Sequence, residues 1–247
     1  MIKREICRTE GIEGGRRSLK TIRVVTFNIR HGRGTDNRVD LKRAAGVLGH
    51  TGGELIGLQE VDRYTPRSRF CHQPGYLGRL LRKHWVFGAT IKWLPCMQYG
   101  NAVLSRWPII NWRNHLLPGR GEQRGLLEAE IEIGGLKVAF FCTHLGLNRE
   151  ERLVQATRIL DIVSASDRPV VLVGDFNDGR RSPEFGLISA VLRDAAGAGG
   201  GLNTFPAENP AEQMDFVFVS GHWQAVSARP VFSGASDHLA VAAEIAL

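Results

Sequence analysis

Short apolar stretches recur along the chain, and many of them stop near a polar side chain suited to metal or phosphate binding. Asn28 follows one such stretch directly, whereas Glu60, His144 and Asp175 each follow another after one intervening residue. Short runs of β-branched and apolar residues are typical of buried strands. A sheet fixes the ends of its strands while side chains there reach a cleft. The pattern therefore predicts a strand-rich fold with a functional site at the strand ends.

Strands outnumber helices in the predicted secondary structure. The strands are predicted at Thr21–Ile29, Glu54–Glu60, Asn101–Ser105, Leu126–Ile133, Leu136–Cys142, Pro169–Val173, Met214–Val219, Trp223–Val231 and Leu239–Ile245. The helices are predicted at Val39–Leu48, Pro74–Leu81, Arg149–Ser164 and Pro183–Leu192. Gly134-Gly135 between two strands indicates a hairpin. This order of elements predicts an α+β fold in which helices cover the outer faces of two sheets.

The length and composition favour one folded unit. The chain has 247 residues, and its hydrophobic fraction of 43% is sufficient for one large core. No linker divides it, so residues 21–247 are predicted to form a single domain. Residues 1–20 carry glycines, many charges and no periodicity. They are predicted to be a flexible basic leader.

Charge and cysteine usage constrain the partners and the compartment. The net charge of +7 favours polyanionic partners such as nucleic acid or phosphorylated small molecules. The four cysteines form no C-x-x-C pair, which is typical of a cytosolic protein with free thiols. No secretory signal and no membrane-length apolar run is present in the sequence. We therefore expect a cytoplasmic protein without membrane insertion, and no pattern indicates an obligate protein partner.

Hydrolysis of a phosphoester would explain why these residue types occur together. A hard cation such as Mg²⁺ offsets the charge of the phosphate and prefers carboxylate and amide oxygens, which Asn28, Glu60 and Asp237 provide. An Asp or a His can deprotonate and aim a water molecule, and a second carboxylate can orient the imidazole. Structural interpretations remain open, such as an Asx turn formed by Asp175 and Asn177 or core positions for the histidines.

Seven short motifs extend this argument across nearly the whole of residues 21–247. They are Thr26–Arg30, Leu58–Asp62, Tyr99–Arg106, Thr143–Leu145, Gly174–Asn177, Met214–Phe216 and Ser236–His238. In these motifs and their order the chain resembles the endonuclease/exonuclease/phosphatase superfamily, the DNase I-like metal-dependent phosphohydrolases. The resemblance implies a four-layer α/β sandwich, in which two mixed, mostly antiparallel sheets pack face to face with helices outside. It also implies Mg²⁺ as the cofactor, with Mn²⁺ as a substitute, bound by Glu60 with Asn28 and Asp237.

The resemblance also implies catalytic roles for five residues. Asp175 resembles the residue that positions or activates the attacking water, and Asn177 resembles an Asn that contacts the phosphate. His238 resembles a His that contacts the phosphate or works as general acid/base, and Asp215 would orient it. His144 matches a second His on the phosphate side.

Further residues are expected to bind the substrate. Arg30 and His144 resemble the DNase I branch more closely than the branch that repairs apurinic sites. Arg124 matches a phosphate-binding arginine of the DNase I branch, with an ordinary surface position as the alternative. Tyr99 and Asn101 are expected to line the cleft wall, and a purely structural role stays open for Asn101.

Three functions are compatible with these residues. The leading hypothesis is a Mg²⁺-dependent phosphodiesterase, a phosphoric ester hydrolase that acts on nucleic acid or on a smaller phosphoester. Nuclease activity predicts a groove lined by Arg30, Arg63, Arg67 and Arg124. Cleavage of phospholipid head groups, as in sphingomyelinase-like relatives, predicts an exposed apolar loop, whereas the sequence favours a buried loop at Trp93–Met97. The third hypothesis is a catalytically inactive binding module. The complete set of acids and histidines argues against it.

Overall fold

The computed structural model describes residues 21–197 and 201–247. The predicted basic leader, residues 1–20, lies outside the described residues. The helices are α1 (Leu41–Thr51), α2 (Gln73–Leu80), α3 (Arg149–Ser164) and α4 (Pro183–Ser189). The strands are β1 (Thr21–Asn28), β2 (Leu55–Arg63), β3 (His84–Lys92), β4 (Gln98–Ser105), β5 (Ile109–Leu116), β6 (Gly125–Ile133), β7 (Leu136–His144), β8 (Val170–Asp175), β9 (Arg193–Asp194), β10 (Asp215–Val219), β11 (Gln224–Val231) and β12 (Ala240–Ala246).

The strands of the described residues form two six-stranded sheets. The order in the first sheet is β11-β12-β1-β2-β4-β3, and the order in the second is β5-β6-β7-β8-β10-β9. Each sheet contains one parallel pair, β1 with β2 in the first and β7 with β8 in the second, and the remaining pairs are antiparallel. The predicted α+β class with mixed, mostly antiparallel sheets is confirmed.

Apolar side chains hold the layers together. One cluster fills the space between the sheets and includes Val24, Phe140 and Val173. A second lies between the first sheet and helices α1 and α2, and a third lies between the second sheet and helices α3 and α4. Burying each Val, Leu or Phe side chain contributes about 1.5–3 kcal/mol. The strands in the middle of each sheet are covered on both faces, which explains their nearly continuous apolar sequences.

Local sequence signals set the bounds of the helices. The Asn148 side chain accepts hydrogen bonds from the backbone N–H groups of Glu150 and Glu151, which caps α3 at its predicted start. Ser182 caps α4 in the same way, and Pro183 takes the first helical position. Helix α4 ends at Ser189 and is shorter than predicted. No helix in the described ranges is long and apolar enough to cross a membrane.

Four segments differ from the sequence predictions. Strands β3, β5 and β9 were missed, and all three lie at an edge of their sheet. Edge strands have one face or side open to water and so carry polar residues that hide the strand pattern. The loop at Trp93–Met97 was expected to be buried, but Trp93 is 51% and Leu94 is 56% exposed. This loop connects two strands at the mouth of the cleft described below, where few residues pack over it.

Candidate active site

The ends of the central strands bring the predicted site residues together. Parallel strands end at the same edge of a sheet, so β1 and β2 carry Asn28 and Glu60 to one edge, and β7 and β8 carry His144 and Asp175 to the facing edge. Asp175 pairs in register with His144 on one side and with Asp215 on the other. The two half-sites meet because the sheets pack face to face.

A bulge in β2 aims Glu60 at this meeting point. Between the pairs Leu58–Ala102 and Val61–Gly100, β2 has one residue more than β4. Glu60 occupies the bulge with φ of +57°, which is the left-handed region that non-glycine residues seldom adopt. Such conformations cost about 1–3 kcal/mol and are concentrated at functional sites. The backbone is therefore strained where this carboxylate enters the site.

Asn28 connects the two half-sites. Its Nδ2 atom lies 3.0 Å from Glu60 Oε1 and 2.9 Å from Asp175 Oδ2. Its Oδ1 atom accepts a hydrogen bond from the backbone N–H of Arg30 at 3.0 Å. Burial raises the pKa of Glu60, the hydrogen bond from Asn28 opposes this, and the charges of Asp175 and Asp237 raise the pKa further. Asn28 thus bridges the carboxylates of Glu60 and Asp175, and Asp237 lies near enough for its charge to act on Glu60.

His238 lies between two buried carboxylates. Its Nδ1 atom is 3.0 Å from Asp215 Oδ2, and its Nε2 atom is 3.6 Å from Asp175 Oδ2. Burial by itself lowers the pKa of His238, but the charges of Asp215, Asp175 and Asp237 outweigh it and raise the pKa to about 10. The side chain is therefore an imidazolium near neutral pH, able to donate a proton or a charged hydrogen bond.

His144 has the opposite electrostatic environment. Arg124 Nη1 donates to His144 Nδ1 at 3.1 Å, which places the remaining ring proton on Nε2. Nε2 lies 3.5 Å from Asp175 Oδ2. Burial lowers the pKa of His144 to about 3, and the Arg124 charge acts in the same direction against that of Asp175. A neutral His144 can donate a hydrogen bond but does not act as an acid.

Asn177 and Asp175 form the Asx turn that the sequence left open as a structural interpretation. The backbone N–H of Asn177 donates to Asp175 Oδ1 at 2.9 Å, and Asn177 has φ of +51°. Its side-chain Nδ2 donates to the Leu145 carbonyl at 2.8 Å. Both residues also line the cleft. The turn and the site are thus the same local structure.

A cleft of about 280 Å³ opens over this centre. The predicted site residues that line it are Glu60, Tyr99, Arg124, His144, Asp175, Asn177 and His238, and Arg67 of the predicted groove lines it as well. Four further residues line the cleft, namely Ile91, Trp93, Glu122 and Leu147. Of these, the sequence had pointed only to Trp93, as part of the loop Trp93–Met97. They lie in loops or on an edge strand, where no periodicity marks them. Glu122 stands two residues before Arg124, and this proximity is the one sequence signal that could have found it.

Two predicted residues use their side chains elsewhere. Asn101 is 2% exposed, and its amide nitrogen donates to the Gly125 carbonyl of the second sheet at 3.0 Å. This contact joins the two sheets behind the cleft, as expected for the structural alternative. Arg30 pairs with Asp237, with 3.2 Å between Nε and Oδ2, so both lie beside the cleft as an ion pair.

The buried carboxylates fit a cation. Asp175, Asp215 and His238 each have a potential ligand atom within 4.8 Å of the other two, and all three are buried. A protonated His238 does not bind a cation, so the carboxylates are the ligands that fit one. Asp215 Oδ1 is buried and has no hydrogen-bond partner among the described residues. Carboxylates held apart only by an amide, with a raised pKa at Glu60, gain free energy when a divalent ion offsets their charge.

Comparisons with known proteins agree with this fold. A protein of Escherichia coli K12 known as YbhP, itself uncharacterized, is 28% identical over 250 residues, which cover 92% of this chain and 97% of that protein. The crystal structure of an endonuclease/exonuclease/phosphatase from Beutenbergia cavernae matches with a TM-score of 0.78 and 26% identity, covering 92% of this chain and 72% of that one. The mannosyl-6-phosphatase Bt3783 of Bacteroides thetaiotaomicron shares the fold, with a TM-score of 0.74 and 17% identity over 92% of this chain and 100% of that one.

The sequence model of the Endonuclease/Exonuclease/phosphatase family matches residues 25–238, which contain all seven motifs. The match includes every residue that lines the cleft and all strands of the two sheets except β12 and the first part of β1. The chain belongs to the endonuclease/exonuclease/phosphatase family.

Proposed function

We propose that this protein is a metal-dependent phosphodiesterase that cleaves its substrate by in-line attack of water on phosphorus. Members of its family are phosphoester hydrolases. The observation that carries the proposal is that Glu60, Asp175 and His238, separated by long stretches of sequence, line one cleft. Their spacing around a buried amide is compatible with one bound cation and one phosphate.

Mg²⁺ is the proposed cofactor, and Mn²⁺ is expected to replace it. Glu60 would be the main ligand, with Asp237 nearby and the Asn28 amide beside it. The Asn28 oxygen faces the Arg30 N–H in this structure, so ligation by that oxygen requires rotation of the amide. When bound, the ion would offset charge on the phosphate and on the leaving oxygen.

Of the remaining residues, Asp175 acts on the attacking water, and the others act on the phosphate. Asp175 accepts a proton from the attacking water, whose oxygen forms the new bond to phosphorus. His238, as an imidazolium paired with Asp215, stabilises charge on the phosphate or gives its proton to the leaving oxygen as that P–O bond breaks. His144 donates a hydrogen bond from Nε2 to a phosphate oxygen, and Asn177 adds a neutral contact.

A panel of phosphoesters tests the proposal. It contains DNA, RNA, inositol phosphates, sphingomyelin, a sugar phosphate and a chromogenic diester, each with Mg²⁺, Mn²⁺ or a chelator. We expect turnover of at least one ester with either ion and none with the chelator. No metal-dependent turnover of any member would contradict the proposal and favour the inactive binding module.

A second candidate is cleavage of phospholipid head groups. It is favoured by one observation, the exposed side chains of Trp93 and Leu94 at the mouth of the cleft. We expect such an enzyme to bind phospholipid vesicles and to lose that binding in Trp93→Ala. A wild-type protein that stays in the supernatant with vesicles would exclude this candidate.

Cytoplasmic localisation and independence from a protein partner stay predictions from the sequence.

A further inference from the structure

Arginines at the cleft already carry carboxylate partners. Arg124 Nη1 lies 2.7 Å from Glu122 Oε1, and Arg30 Nε lies 3.2 Å from Asp237 Oδ2. Both arginines were assigned by sequence to a groove for nucleic acid. Their charges are offset by acids that belong to the protein itself, so neither adds an uncompensated positive charge.

Arg67 is the most firmly paired of this group. Its Nε and Nη2 atoms donate to the two oxygens of Asp62 at 2.9 and 2.8 Å, and the Asp62 side chain is fully buried. The guanidinium also lies 5.1 Å from the ring centre of Tyr99. A two-point ion pair on a buried acid fixes the arginine and neutralises most of its charge.

The fourth arginine of the predicted groove, Arg63, has no acid partner in the described ranges and is held by neutral groups. Its Nη1 donates to Gln98 Oε1 at 3.2 Å, and its guanidinium lies 5.6 Å from the ring centre of Tyr64. Proteins bind nucleic acid chiefly by neutralising several successive phosphates with unpaired Lys and Arg side chains. One such residue does not form a track of that kind.

Glu122 neutralises Arg124 at the cleft wall, and the structure holds it there. Glu151 Oε1 accepts hydrogen bonds from the backbone N–H groups of Arg120 and Gly121, at 2.6 and 2.8 Å. These bonds tie the loop that carries Glu122 to helix α3. Glu122 is therefore positioned both by its loop and by Arg124. Its half-exposed carboxylate occupies the Arg124 guanidinium, which a second phosphate of a polyanion would otherwise bind.

The rest of the cleft mouth is apolar. Ile91, Trp93 and Leu147 line it, with Trp93 51% and Leu147 77% exposed. Large exposed apolar side chains beside a charged centre favour a ligand that covers them with its own apolar surface. A bare phosphate or a sugar–phosphate backbone leaves this wall in water.

We propose that the cleft selects a small phosphoester with one phosphate and an uncharged, apolar substituent, and that Glu122, by neutralising Arg124, disfavours polyanions such as nucleic acid. The inference deepens the proposed phosphoesterase function and rests on it. The same chemistry occurs in a soluble aryl ester and in a phospholipid, so the test contains both.

The relative affinities of two phosphoesters test the substrate class without relying on turnover. Titration calorimetry with Mg²⁺ uses full-length Asp175→Asn and compares diphenyl phosphate with dimethyl phosphate. We expect diphenyl phosphate to bind at least about tenfold more tightly, because its rings cover the apolar wall. Trp93→Ala in the same background should remove most of this preference. Equal affinities of the two esters would overturn the apolar part of the proposal. Repeating the titrations in His238→Gln keeps the test decisive should Asp175→Asn fail to fold.

Competition tests the exclusion of polyanions. A single-stranded DNA octamer is titrated against bound diphenyl phosphate, so that binding to regions outside the cleft does not register. We expect the octamer to compete no better than dimethyl phosphate. Competition at least about tenfold stronger, with a steep dependence on salt, would overturn the proposal.

A matched pair of variants isolates Glu122. Glu122→Gln should strengthen competition by the octamer up to about fivefold, the upper range for a half-exposed ion pair, with little effect on dimethyl phosphate. Glu132→Gln removes the same charge from an exposed position of β6. It should change neither the competition by the octamer nor that by dimethyl phosphate. Identical octamer competition in wild type and Glu122→Gln would remove Glu122 from the proposal.

Turnover measurements show whether the preferred ester is a soluble one or a phospholipid. They also distinguish failure of the proposed function from failure of the proposed substrate class. Wild-type protein is given soluble bis(4-nitrophenyl) phosphate or vesicles of phosphatidylcholine with sphingomyelin. Faster turnover of either ester than of DNA supports the inference, and the faster of the two identifies the source. The absence of all turnover defeats the proposed function, whereas efficient cleavage of DNA defeats the inference and leaves that function standing.

Discussion

Asp215 holds His238 in one orientation, because Oδ2 of the acid accepts a hydrogen bond from Nδ1 of the imidazole across 3.0 Å. Asp215 lies at the start of β10 and is fully buried, so its carboxylate has little freedom to move. The bond fixes the orientation of the ring and leaves Nε2 facing Asp175 and the cleft. The pair therefore presents a charged donor at the place where a phosphate oxygen is expected.

Loss of the Asp175 carboxylate or of the His238 imidazole should abolish most of the activity. We expect Asp175→Asn and His238→Ala each to lower kcat by at least about a hundredfold, the lower range for general acid–base catalysis. The measurement is the initial rate on whichever ester the panel identifies. His222→Ala, at an exposed position, serves as the control and should keep the wild-type rate. Wild-type rates in both site variants would refute the mechanism.

Asp215→Asn should act through the charge of His238. The amide can still accept from Nδ1, but without the carboxylate the pKa of His238 falls from about 10. We expect kcat to drop at least about tenfold at pH 8 and to recover in part at pH 6, where the imidazole is protonated again. The pH–rate profile checks this. A uniform loss at every pH would show that Asp215 has only a structural role.

The raised pKa of His238 predicts how the free energy of unfolding depends on pH in the presence of a chelator. The folded-state pKa of about 10 exceeds the unfolded value of 6.5, so the stabilisation is complete below pH 6.5 and is lost as the pH rises through 10. We expect the free energy of unfolding to fall by at least about 1 kcal/mol more in wild type than in His238→Gln over this window. Urea unfolding at several pH values measures it, and parallel curves would contradict the prediction.

Glu60 should make the metal-free protein less stable. Its pKa is raised, so folding opposes its ionisation and stability is lost as the pH rises from the unfolded value of 4.5 through the folded one. We expect Glu60→Gln to raise the melting temperature in chelator at pH 7. The variant should also lose the increase in Tm that Mg²⁺ gives to wild type. An equal increase in both proteins would place the ion away from Glu60.

Removal of the Arg67 side chain should destabilise the fold through Asp62. Arg67→Gln leaves a fully buried carboxylate with fewer donors, at a cost of about 2 kcal/mol. Arg69→Gln lies two residues further along the same loop, is exposed, and serves as the charge-matched control. Denaturant unfolding compares the two variants. Equal stabilities would show that another donor compensates Asp62.

Much of the fold was predictable because its signals are local. Helix α3 has the predicted bounds, since Asn148 caps it and its apolar residues recur at helical spacing. The central strands are apolar over most of their length, and the family model matches residues 25–238. Strands β3, β5 and β9 were not predicted, because these edge strands alternate less clearly between apolar and polar residues and β9 has only two residues.

The sequence by itself determined the residue types of the site and the strands that carry them, because both are properties of short segments. Only the tertiary structure decided which of these residues meet. It brought Glu60 to Asp175 through a bulge and a sheet-to-sheet contact, turned the Asn101 amide nitrogen toward the second sheet, and gave Arg124 the partner Glu122. Such pairings depend on packing between distant segments, and packing leaves no periodic trace in the sequence.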